Sequence, residues 1–218
     1  MQNEPAATTS GGNLLILLCA PSHDDLTKYT SKLFESFPHL GAPSEQRIFE
    51  HPLTYDQLLS ELSVDPDTTD IALVFCGHGE PFSLLGPGVH RDSFSSFYDD
   101  KLIELRPKHM LAFCCSAAAG IGQSYDHKTE ASTFVGFDMK IGIVTVSGVY
   151  AAWWRKILHG LASAMLNASD THALETSVQA LYKDAITFFH HNDKKYRWAR
   201  AMKWYLLAQS KAIKVVHT

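Results

Sequence analysis

The sequence predicts an α/β domain in three layers, with a mainly parallel central sheet and helices on both faces. Three observations carry that prediction. Short apolar runs rich in Leu, Val, Ile and Phe recur at residues 14–19, 71–76 and 110–114, too short for core helices and suited to buried strands. Segments whose apolar residues recur at helical spacing lie among them. The composition, 45% hydrophobic and 19% charged, is that of a folded globular chain rather than a disordered one.

In chain order, residues 1–12 read as a flexible tail and residues 13–218 as one domain. Residues 14–19 form a first buried strand. Ser22 caps a helix whose first turn carries Asp24 and Asp25, favourable at the positive end of the helix dipole. Leu26, Tyr29, Leu33 and Phe37 give that helix its apolar face. A short strand over 46–50 follows, then a helix opened by a Thr54 and Gln57 capping box. Asp65-Pro66-Asp67 is turn chemistry that delivers the chain to the strand ending at Cys76. Beyond His78, Gly86-Pro87-Gly88 marks a small hairpin or loop, and a weak helix covers 95–105. The strand over 110–114 gives way at Cys115 to an Ala-rich helix start. Residues 133–137 and 141–146 read as further strands, and 150–166 and 171–190 as helices. The final segment, about 194–216, reads as a basic amphipathic helix with seven basic residues.

Several function classes are disfavoured. The net charge of −4 and pI near 6.3 give no general attraction to nucleic acid or to anionic membrane. The N-terminus lacks the positive charge and long apolar stretch of a signal peptide. No run reaches the about eighteen apolar residues of a membrane span. All four cysteines fall in or at the end of strands, which predicts reduced thiols in a cytoplasmic protein. A zinc site from Cys76, His78, Cys114 and Cys115 fits poorly, because adjacent strand residues point to opposite faces.

The chemistry concentrates at two strand ends. The strand over 71–76 runs into Gly77-His78-Gly79, and the strand over 110–114 runs into Cys115. Neighbouring parallel strands would bring His78 and Cys115 together at the carboxyl edge of the sheet, where such folds place their sites. A base beside a thiol is the minimal machinery of a cysteine hydrolase. Strand alternation buries Cys114 and brings Cys115 to the edge. Flanking glycines give His78 unusual dihedral freedom, and a following helix would favour the Cys115 thiolate. The backbone amides of Gly79 and Cys115 are the expected oxyanion donors.

The two motifs, Val74-Phe-Cys-Gly-His78-Gly79 and Leu111-Ala-Phe-Cys-Cys115-Ser-Ala-Ala-Ala-Gly120, resemble those of the caspase-like cysteine peptidases. That group includes legumains, gingipains, separases, metacaspases and bacterial CHAT-type domains, and the chain is closest in style to the small bacterial ones. The resemblance implies a caspase-like fold over roughly residues 13–190. It implies a cysteine endopeptidase with His78 as general base and acid and Cys115 as nucleophile. No cofactor is implied; the partners are a protein or peptide substrate and an activating protein. The end of the first strand would line the pocket for the substrate residue before the scissile bond. His23, Asp24 and Glu80 are therefore expected substrate-binding residues, favouring Lys or Arg. The rival expectation is a catalytically silent caspase-like adaptor or regulatory subunit. For the basic C-terminal segment, a terminal helix packed on the domain competes with a surface for a partner, nucleic acid or membrane.

Overall fold

The computed structural model describes residues 13–21, 24–35, 37–40, 44–49, 60, 69–86, 95–96, 107–125 and 132–218. In chain order its elements are β1 (Asn13–Cys19), α1 (Asp25–Phe34), β2 (Ser44–Phe49), β3 (Thr69–Cys76), β4 (His78–Glu80), β5 (Ser83–Gly86), β6 (Ser95–Ser96), β7 (His109–Phe113), β8 (Thr133–Phe137), α2 (Val149–Asn167), α3 (Thr171–His191), α4 (Ala199–Ala212) and β9 (Ile213–His217). Six strands form one sheet in the order β2-β1-β3-β7-β8-β9, and β4, β5 and β6 form a small second sheet. The pairs from β2 to β8 are parallel; β9 alone runs antiparallel, on the outer edge of β8.

The apolar runs become strands because both of their faces are covered. From β1, Ile16 and Leu18 point to one face of the sheet and Leu15, Leu17 and Cys19 to the other, and all five are buried. The first face carries the larger core, in which Phe113, Phe137 and Trp154 meet edge to face. All four described helices contribute their apolar stripes to this core. The second face is covered by Leu84 of β5 and by two short 3-10 turns, Ala117–Ala119 and Ile121–Tyr125. Helices on both faces were expected; among the described residues they lie on one. The tail over 1–12, His23 and the Thr54 and Gln57 capping box lie outside the described residues, and Ser60 is helical.

Four expectations are corrected. The cap of α1 is Asp24, not Ser22: Asp24 Oδ1 accepts from the Thr27 amide at 2.7 Å, and the Asp24 amide donates to Thr27 Oγ1 at 2.9 Å. Of the helix expected over 95–105, Ser95 and Ser96 form the two-residue strand β6, and residues 97–105 lie outside the described residues. The basic helix stops at Ala212, and Ile213-Lys-Val-Val-His217 is β9. Its β-branched residues find an open strand edge, and a paired edge outweighs one further helical turn.

Residues 141–146 are extended but pair with no strand, because β9 occupies the position beside β8. Their alternate carbonyls are satisfied by side chains instead. Gly142 O accepts from Gln209 Nε2 at 2.8 Å, Val144 O from Trp154 Nε1 at 3.1 Å and Val146 O from Tyr29 OH at 2.9 Å. Successive carbonyls of an extended chain point to opposite sides, so this segment binds the helical layer with its even-numbered carbonyls and turns the odd-numbered ones away.

Trp154 is therefore both the centre of the core and an anchor for this segment. Trp154→Ala is expected to lower the unfolding free energy by roughly 3–5 kcal/mol in a urea titration. Trp204→Ala, on the exposed side of α4, should change it by less than about 0.5 kcal/mol.

Candidate functional site

The sheet register sets the two motifs side by side. Cys76 of β3 pairs with Phe113 of β7, and just beyond the ladder the Gly77 amide donates to Phe113 O at 3.3 Å. His78 and Cys115 thus leave neighbouring parallel strands at the same edge. Of the four thiols, Cys19, Cys76 and Cys114 are buried and only Cys115 is partly exposed. Burial pushes the Cys76 thiol up to about 12. Burial, with Cys115 and Cys76 nearby, holds Cys114 well above its ordinary range. Cys76 faces one core and Cys114 the other, so the four zinc candidates do not converge.

Two glycines clamp the loops together. A β-carbon on Gly79 would lie 2.5 Å from Cys114 Sγ and 3.1 Å from the Cys115 carbonyl oxygen. A β-carbon on Gly120 would run into the Pro81 carbonyl, and the neighbouring Ile121 amide donates to that same oxygen at 2.8 Å. The turn joining β4 to β5 is thereby seated on the turn after Cys115. Dihedral freedom is not what Gly77 and Gly79 contribute, since neither adopts a positive φ. Gly79 is required by closeness.

The residue after the thiol is strained. Ser116 has φ 59°, in the left-handed region, and is the one non-glycine there among the described residues. Its amide donates to Met139 O at 3.1 Å, and the Cys115 thiol donates to Ile141 O at 3.9 Å. The carbonyls of Met139 and Ile141 are thus the ones that meet the Cys115 turn. Beyond Ser116 the chain makes a three-residue 3-10 turn rather than the expected α-helix, which leaves little dipole to act on the thiol.

His78 finds a partner that the sequence reading assigned elsewhere. Its Nε2 lies 2.6 Å from Asp24 Oδ2. Burial raises the Asp24 pKa, but hydrogen bonds from the Thr27 amide, His78 and the Thr27 hydroxyl outweigh it and bring the carboxyl to about 2. An ionised carboxylate only accepts, so the His78 Nε2 that faces Asp24 carries a proton. Both Asp24 oxygens are engaged within the chain, one by Thr27 and one by His78. Asp24 is thus a positioning group for His78 rather than a ready site for a substrate cation. Glu80 is exposed on β4, opposite Ser83.

Of the expected oxyanion donors, the Cys115 amide has no carbonyl acceptor among the described residues. Gly79 stands opposite Leu84, one pair back from the two-residue turn that closes on Glu80 and Ser83. Antiparallel alternation then directs the Gly79 amide away from β5. Two exposed apolar residues belong to the segments that meet the Cys115 turn. Phe82, on the clamped turn, is 57% exposed, and Met139, whose carbonyl holds Ser116, is 50% exposed. Neither was singled out from the sequence, where an isolated Phe or Met carries no signal. No family model matches the chain, and no curated protein matches it.

Because the folded Asp24 pKa lies below the ordinary 3.8, its cap stabilises the fold fully above about pH 4, and that contribution fades as pH falls towards 2. Asp24→Asn should flatten the acid limb of the stability profile in that window, followed by circular dichroism. Gly79→Ala is expected to lower stability by roughly 1–3 kcal/mol and to alter the alkylation rate of Cys115. Gly77→Ala, whose β-carbon would meet the Phe75 ring only at 3.2 Å, should be milder in both measurements.

Proposed function

We propose that the chain is a cysteine endopeptidase of caspase-like fold, cutting a protein or peptide substrate with His78 and Cys115. The observation that carries the reading is the Asp24–His78 pair at 2.6 Å, at the end of the strand that neighbours the one leading to the partly exposed thiol. Support also comes from the mainly parallel sheet, whose neighbouring strands end in the two motifs.

In the reaction, the Cys115 thiol leaves the Ile141 carbonyl and passes its proton to His78 Nδ1. The thiolate attacks the scissile carbonyl carbon, and the amides of Cys115 and Gly79 receive the developing oxyanion. Asp24 stabilises the imidazolium that forms, holding Nε2–H throughout. His78 then returns the proton to the leaving amine as the carbon–nitrogen bond breaks, leaving a thioester on Cys115. Water attacks that thioester with His78 again acting as base, which frees the acid product and restores the thiol. No cofactor enters the scheme.

The substrate reading shifts from basic to apolar. Asp24 is occupied by His78 and Thr27, while the exposed Phe82 and Met139 lie on the two segments that meet the turn after Cys115. A partner that switches the enzyme on remains part of the proposal.

A thiol-directed electrophile should modify Cys115 selectively, and His78→Ala should slow that reaction by at least about tenfold. Labelling spread over all four cysteines, or indifferent to His78, would overturn the peptidase reading and favour a silent adaptor. In a fluorogenic peptide panel, Leu, Met or Phe before the scissile bond should be cleaved faster than Lys, Arg or Asp. Asp24→Asn should lower kcat/KM by roughly 10²-fold and change its pH profile.

A further inference from the structure

The outer face of α4 has the makings of a second functional surface, remote in kind from the thiol site. Its buried side is Ala199, Met202, Leu206, Gln209 and Ala212. The opposite side carries Arg200, Trp204, Leu207 and Lys211, spaced four, three and four residues apart, which aligns them in one stripe. Trp204 is 69% exposed and Leu207 40% exposed. The stripe runs about 16 Å along the helix axis, with apolar residues at its centre and a cation at each end. Ahead of it, Arg197 lies over the exposed Trp198 ring at 5.2 Å.

Charge on this segment is one-sided. Seven of the chain's 19 Lys and Arg fall from Lys194 onward, and none of its 23 Asp and Glu does. Among the described residues, Asp193 lies 3.7 Å from Arg200 and Asp138 lies 3.3 Å from Lys214. The overall charge of −4 conceals this polarity.

We propose that the outer face of α4 docks the protein onto an anionic lipid surface. At such a surface the Trp204 ring and Leu207 side chain enter the boundary between headgroups and acyl chains, while Arg200, Lys211 and Arg197 meet the lipid phosphates. Nucleic acid fits this stripe less well, since its phosphates would face the apolar centre and leave Leu207 without a partner. The helix lies along the membrane rather than across it; among the described residues no helix is long and apolar enough to span one.

The test uses the full chain and sedimentation with vesicles of phosphatidylcholine alone or mixed with phosphatidylglycerol. Binding is expected only to the anionic vesicles, weakening as salt is raised. Trp204→Ala and the pair Arg200→Gln with Lys211→Gln should each weaken it at least about fivefold, with circular dichroism unchanged from wild type. Loss of Trp204 should also remove the blue shift of tryptophan fluorescence on vesicle addition. Equal binding to neutral vesicles, or binding indifferent to these substitutions, overturns the proposal. So does tighter binding to single-stranded RNA that the same variants abolish.

Discussion

The site depends on two backbones lying closer together than side chains would permit. One belongs to the strand and turn after His78, the other to the turn after Cys115. Gly79 and Gly120 are where they touch, each against the other loop's main chain or the buried Cys114 sulfur. The consequence reaches beyond local fit. With that clamp closed, the Cys115 turn has little room to relax, and the left-handed Ser116 is held from both sides, by Met139 O on its own amide and by Pro81 O on Ile121. Strain of this kind persists only where its surroundings over-determine it.

Asp24 ties a second layer to that clamp. One carboxylate caps α1 and positions His78, so the start of a helix and the orientation of an imidazole share a single charge. Its low pKa has the same origin: three donors outweigh the desolvation that would push it up. The pair is partly exposed, with Asp24 40% and His78 30% accessible, so solvent screens its Coulomb attraction and geometry matters more than strength.

The sequence was most legible where one physical rule dominated. The runs at 14–19, 71–76, 110–113 and 133–137 are strands because unbroken apolar runs must be covered on both faces, and α2 and α3 follow directly from their periodicity. The thiol pair was legible too: alternation alone predicts a buried Cys114 and an accessible Cys115. Reading failed where tertiary competition decided. Residues 141–146 have the composition of a strand, but β9 holds the edge of β8. Ile213–His217 continue an unbroken helical pattern, and only the vacant edge turns them into a strand. Asp24 looked like any acidic first-turn residue, because its partner lies 54 positions away. Local signals carry no information about a meeting at that distance.

The antiparallel strand β9 has a kinetic side. Thr133 and His217, which share a hydrogen bond at 2.8 Å, are 84 positions apart. Between them runs the helical layer, including Gln209, which holds the Gly142 carbonyl. The parallel core from β1 to β7 can form from shorter loops, whereas the outer edge of β8 waits for the chain to return. Until it does, the segment carrying Met139 and Ile141 lacks its anchor in α4, and the wall beside Cys115 is unfinished. If the short loops close first, the thiol would be in place early and its surroundings late.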